Sequence, residues 1–186
     1  MADSTGSPFV NSEGQLPTYS TTVAAYTPYT TATDMVVLQN PAASTAVLKV
    51  SKIRISGTAT ATSVYIPYCY IRTALNTGGT STAITDALHD SNTAVSQGIV
   101  LKYSAAPTLN GTGTLLRADT VLLANATSPI IFTEGLWLFG DLPNSGQIHV
   151  RPGQQLSINS NSAFPAGAAL YITIQWAESV GFNPAN

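Results

Sequence analysis

Between Val47 and Arg72 the chain reads VLKVSKIRISGTATATSVYIPYCYIR, two runs of β-branched and aromatic residues joined by a Gly-Thr-Ala connection. Val, Ile, Tyr and Thr at this density fit a pleated, half-buried surface and disfavour helix. The first run carries a parity conflict: Leu48 and Val50 share one face of an extended chain, whereas Ile53 and Ile55 share the other. Successive side chains alternate faces, so one extra residue is needed to bring all four to the same side. A bulge near Ser51 is expected. In the second run Pro67 removes a ladder donor, which predicts a sheet edge or a second bulge there.

The remainder of the chain repeats the pattern. Short strand-like runs are expected near 35–39, 47–56, 64–73, 98–103, 115–124, 130–139, 147–151, 155–159 and 169–177, separated by clusters of Gly, Pro, Asn and Ser. The last run alternates cleanly, with Leu170, Ile172, Ile174 and Trp176 on one side and Tyr171, Thr173 and Gln175 on the other, as a half-buried antiparallel strand requires. Ser81 to His89 (STAITDALH) is the one stretch that reads as a helical turn. The preceding NTGGT predicts a long crossing loop. Nine such runs in 186 residues predict an all-β antiparallel sandwich of jelly-roll type spanning 35–179, with a tail at 180–186. A chain of 19.3 kDa buries roughly 70% of its unfolded surface, enough for one substantial core.

Residues 1–34 differ. Pro8, Pro17 and Pro28 interrupt any regular element, Ser and Thr dominate, and neither strand nor helix periodicity persists, which predicts an extended N-terminal arm. The arm carries Phe9, Val10, Leu16, Tyr19, Val23, Tyr26 and Tyr29, more large side chains than a solvating tail needs. Two readings stay open. These residues either pack back on the parent domain, or Phe9, Leu16, Tyr19, Tyr26 and Tyr29 bind a partner subunit.

Charge narrows the range of functions. Only 9% of residues are charged and the net charge is −2, against about 25% charged in an average soluble chain. Seven basic residues scattered along the sequence make no footprint for nucleic acid or an anionic membrane, so neither partner is expected. The opening MADSTGSPFV lacks a basic stretch followed by an apolar one, and no run is long enough to span a bilayer. A product made in the cytoplasm is expected. Cys69 is the single cysteine and sits inside YIPYCYI, a context that predicts a buried thiol.

No spacing of residues identifies a reaction. His89 and His149 stand apart from other metal-ligating types, and Asp86, His89, Asp90 and Asn92 do not follow the alternating ligand pattern of a calcium loop; turn roles are expected for Asp90 and Asn92. No serine lies in a nucleophile elbow, and Glu134, Asp141 and Glu178 are each isolated in apolar or turn contexts. Lys49, Lys52 and Arg54 suggest a small basic patch without aromatic interleaving, and Trp137 and Trp176 sit among apolar neighbours that predict core packing. No enzyme activity, cofactor or metal is expected.

The stretch KIRISGTATATSVYIPYCYIRTALNTGGTSTAITDALHDSNTAVSQGIVLKYSAAPTLNGTGTLLRADTVLL, followed by LWLFGDLPNSGQIHVRPGQQLSIN and LYITIQWAES, resembles a group of small phage-encoded virion proteins. The similarity covers most of residues 50–180, and its most distinctive parts are NTGGTSTAITDALHDSN and the FGD-to-GQQLSIN segment. With an arm ahead of a sandwich, the resemblance implies a capsid cement or decoration protein. Such a protein, made in the host bacterial cytoplasm, would bind the phage major capsid protein on the outer surface of the shell and associate with itself as a homotrimer. The alternative implied is a tail, neck or head-fibre protein, including an adhesin that reads host glycans through loops such as Thr77 to Asn92.

Overall fold

The computed structural model describes residues 16–27, 33–90, 92–127, 134–140, 146–160 and 164–180. Fourteen strands and no helix occur among them. In chain order they are β1 (Thr18–Tyr26), β2 (Asp34–Gln39), β3 (Ala46–Ala59), β4 (Ser63–Tyr65), β5 (Pro67–Arg72), β6 (Thr80–Ile84), β7 (Ala87–Leu88), β8 (Ile99–Ala105), β9 (Gly113–Ala118), β10 (Val121–Asn125), β11 (Gly135–Leu138), β12 (Ile148–Val150), β13 (Gln155–Ser160) and β14 (Ala169–Val180).

These form two sheets packed as a sandwich. The larger has the order β4-β10-β3-β14-β1-β7, with β11 and β12 also on β3, and the smaller has the order β6-β8-β2-β13-β5-β9. One edge of β3 runs the length of β14, and the other is shared in succession by β12, β11 and β10. Nearly all pairings are antiparallel, as expected. The exception is β10 against β3, parallel over Ala124↔Thr58 and Asn125↔Ala59. Two facing sheets agree with a jelly roll at the level of layers.

The bulge lies where the parity of the side chains required it. Gln175 pairs with Lys52 and Trp176 with Val50, so Ser51 is the extra residue. Its carbonyl accepts from Phe139 N at 2.9 Å, which keeps the bulged backbone satisfied. Leu48, Val50, Ile53 and Ile55 all become fully buried, facing Leu170, Ile172, Ile174 and Trp176 of β14 in the same core.

Pro67 does something other than form an edge or a bulge. It opens β5, an interior strand of the smaller sheet, while Tyr65 two residues earlier ends β4 in the larger one. The strand-like run is therefore a corner, with Pro67 at the first strand position, where a missing N–H costs least. The 115–124 run crosses alongside it, from β9 in the smaller sheet to β10 in the larger, and Asp119 N donates to Pro67 O at 3.3 Å across the two crossings.

Two further sequence expectations are corrected. Ser81 to His89 holds no helical turn but carries β6 and β7, because Thr80, Thr82 and Ile84 favour an extended chain and Ile84 packs against the core. The arm does not reach residue 34: β1, inside that span, pairs with β14 from Thr18↔Ala177 to Tyr26↔Leu170. Alternate positions Tyr19, Thr21 and Val23 are buried, so β1 is an integral strand of the sandwich.

Candidate interaction surfaces

Tyr19 and Tyr26 are unavailable to a partner subunit. Tyr19 is 1% exposed, stacks on Trp176 with ring centroids 5.9 Å apart, and donates its hydroxyl to Ala94 O at 2.7 Å. Tyr26 is likewise buried and donates to Tyr103 O at 2.7 Å. Both rings fill the core while their hydroxyls find backbone acceptors, which is how buried tyrosines are usually accommodated. Leu16 is half-buried at the start of the described chain. Phe9 and Tyr29 lie outside the described residues, as does Asp141.

The two outer faces of the sandwich differ. On the smaller sheet, all six residues of β2 and all six of β13 are buried, so these strands are covered on both sides. Residues after β5 lie over them: Asn76 N donates to Gln155 Oε1 at 2.8 Å, and Thr77 and Thr108 exchange backbone hydrogen bonds. On the larger sheet, β14 is buried at every second position, and its outward residues Tyr171, Thr173, Gln175 and Ala177 remain exposed or half-buried. That face is uncovered among the described residues.

The strand register specifies what the bare face presents. Leu136, Arg54, Thr173 and Thr22 form one row across β11, β3, β14 and β1, and Leu138, Lys52, Gln175 and Ser20 form the next. Leu136, Leu138 and Tyr171 are each more than 40% exposed. Because of the bulge, Lys49, Lys52 and Arg54 all fall on this face, which gathers the basic residues noted in the sequence; Arg54 Nε donates to Glu134 at 2.5 Å in an exposed ion pair. Such a pair contributes little to stability, about 0–1 kcal/mol. Apolar side chains set among hydroxyls and amides make a surface suited to close contact with another protein.

A second surface lies at the edge where β1, β7, the end of β6 and the 95–99 segment meet. Ile84, Leu88, Val95 and Ile99 line a groove of about 360 Å³. Leu88, Val95 and Ile99 are exposed there, Val95 to 81%. Asp86 lines the groove and accepts from Thr21 Oγ1 at 2.5 Å. Burial pushes its carboxyl above the usual range, the charge of Glu178 adds to the rise, and bonds from Thr21 and Ser96 oppose it.

Glu178, isolated in the sequence from any second carboxylate, is 3% exposed. It accepts from Ser96 Oγ at 2.5 Å, Gln97 N at 3.0 Å, Gly98 N at 3.2 Å and Trp176 Nε1 at 3.3 Å. The carboxylate thereby fixes the 96–98 backbone that forms one groove wall.

The most extensive polar network was not foreseen from the sequence. Asp34 is fully buried on the outer side of the smaller sheet and receives Arg72 Nε at 2.7 Å and Arg72 Nη2 at 2.8 Å, a bidentate pair. Asn76 Nδ2 and Asn159 Nδ2 donate to the same carboxylate at 2.8 and 2.9 Å. Burial alone would raise the Asp34 pKa, but the bonds from Arg72, Asn159 and Asn76 outweigh it and hold the carboxyl below its ordinary value. The donors surround Asp34, so this network ties β2, β5 and β13 to the covering loop and offers no base for catalysis.

The other sequence candidates disperse. His89 Nε2 lies 3.0 Å from Ser20 Oγ, whereas Asp90 Oδ1 accepts from Asn92 N at 2.9 Å in the turn expected of it. Among the described residues no group of three His, Cys, Asp or Glu could hold a metal ion. Trp137 and Trp176 are in the core, and Cys69 is buried with its thiol pushed up to about 12 by burial. No helix is long and apolar enough to cross a membrane among the described residues. No family model, no curated protein and no solved structure matches the chain.

Proposed function

We propose that this protein is a capsid cement or decoration protein of a phage, docking on the outer surface of the major capsid lattice and stabilising the head. The observation that carries the reading is the asymmetry of the sandwich: one outer face is covered by the chain's own loops, while the other is uncovered among the described residues, poor in acidic groups, and presents Leu136, Leu138 and Tyr171 among Thr, Ser, Gln, Lys and Arg. A face of this kind suits repeated contact with a regular protein surface, where modest affinities are multiplied by multivalency. The low charge of the whole chain limits repulsion between adjacent copies. The resemblance read in the sequence over most of residues 50–180 supports the same reading.

The test is binding to purified expanded capsids. Leu136→Asp combined with Tyr171→Asp introduces two charges on exposed positions of the bare face and leaves the core untouched. Desolvating them against a partner should weaken capsid binding by about tenfold or more, equivalent to about 1.4 kcal/mol. Unchanged occupancy with an unaltered fold would remove the bare face from the proposal. Selective binding to a glycan array, with none to capsids, would replace the reading by that of an adhesin.

A further inference from the structure

We propose that the edge groove lined by Ile84, Leu88, Val95 and Ile99 receives Phe9 and Val10 of the same chain. In this groove apolar side chains converge around a concavity and stay open to solvent, with Val95 81% and Ile99 40% exposed. Contiguous apolar surface of this kind usually has an occupant.

The occupant follows from where the chain leaves the sandwich. Tyr19 pairs directly with Leu88, a groove residue, and His89 N donates to Thr18 O at 3.0 Å. Glu178 N holds Pro17 O at 2.9 Å, so the segment ahead of β1 departs beside the groove wall that Glu178 also braces. Residues 1–15 read MADSTGSPFVNSEGQ, in which Phe9 and Val10 are an adjacent apolar pair within a polar stretch. Phe9 stands seven positions before Leu16, a span of about 25 Å at most, whereas paired strands lie about 5 Å apart. The pair is therefore tethered well within reach of the groove, and a short tether gives an effective concentration on the order of millimolar. An untethered partner would have to displace it.

Disulfide trapping tests this in the full chain. Asn11→Cys, next to the apolar pair, with Thr85→Cys in the groove lining should cross-link within the monomer under mild oxidation at low protein concentration. Asn11→Cys with Thr114→Cys, on the exposed far-edge strand β9, should cross-link at least about tenfold more slowly, since only the first pair is held together. Cys69 is buried and its thiol stays protonated, so it does not compete. Equal rates for the two pairs would overturn the proposal, and covalent dimers in place of a cross-linked monomer would overturn the assignment to the same chain. As a second readout, deletion of residues 1–15 should raise binding of an apolar fluorescent dye and Val95→Asp should abolish the increase; no increase on deletion would overturn the proposal. Both measurements use the purified chain alone, so their outcome is separable from that of the capsid-binding test.

Discussion

Asp34→Asn should be the most damaging single-atom-scale change in the molecule. It removes the charge that Arg72 meets with two hydrogen bonds of 2.7 and 2.8 Å and leaves a guanidinium 7% exposed without a counter-ion. Breaking a buried pair by removing one partner costs about 3–5 kcal/mol, because the survivor's desolvation is uncompensated. For a chain of this length each kcal/mol moves Tm by about 2–4 °C, so a fall of roughly 6–20 °C is expected. Urea unfolding should show a lower midpoint at unchanged m. The dependence on pH supplies a second check. Since the folded-state pKa of Asp34 is lowered, its contribution is present above the unfolded value of about 3.9 and is lost as pH falls through the folded value. The gap between wild type and Asp34→Asn should therefore be widest near neutrality and close in acid. A loss below about 1 kcal/mol at pH 7, or a gap independent of pH, would refute the reading of this network as the tie between sheet and loop.

Asp86 should behave in the opposite sense. Its folded-state pKa is raised, so its stabilising contribution is complete below the unfolded value of about 3.9 and is lost as pH rises through the folded one. Asp86→Asn, which can still accept from Thr21, should equal or exceed wild type in stability at pH 7 and lose that advantage at pH 3, as measured by thermal unfolding. Gly57→Ala places a Cβ 2.6 Å from Ala169 O and 2.9 Å from Leu170 Cδ2, so β3 and β14 must separate; chemical denaturation should show a loss of about 1–3 kcal/mol. Cys69 should not react with a thiol reagent in the native state and should react fully once the chain is unfolded, which absorbance of the released chromophore would follow.

Features set by neighbours in sequence were readable before any coordinates. The switch of parity between Val50 and Ile53 located the bulge at Ser51, and the alternation from Leu170 to Trp176 gave the inward face of β14, because both depend only on the two-residue period of a strand. What escaped depends on partners distant along the chain. β1 was hidden because Ser20, Thr21, Thr22, Ala24 and Ala25 fill the positions between Tyr19, Val23 and Tyr26; pairing with β14, some 150 residues later, and with β7 makes that segment a strand. Asp34 and Arg72 meet through the register of β2, β13 and β5, which composition does not specify. Ser81 to His89 resembled a helical turn locally, yet it lies at the edges of both sheets, where the ladders of β8 and β1 hold it extended. Glu178 is buried because the 96–98 backbone, some 80 residues earlier, turns its donors toward the carboxylate.

The correction to the arm changes how its role can be tested. Removing residues 1–34 would delete β1 and expose the flank of Trp176, so lost binding would report unfolding. Removing residues 1–15 leaves every described strand in place.

The central claim is that the chain lends a surface to a shell. The direct measurement is its copy number and position in intact particles, by quantitative mass spectrometry together with an electron cryomicroscopy reconstruction. The account predicts copies in a fixed ratio to the major capsid subunit, seated on the outer lattice with Leu136, Leu138 and Tyr171 turned toward it. Copies confined to a single vertex or to the tail, or absence from the particle, would contradict it.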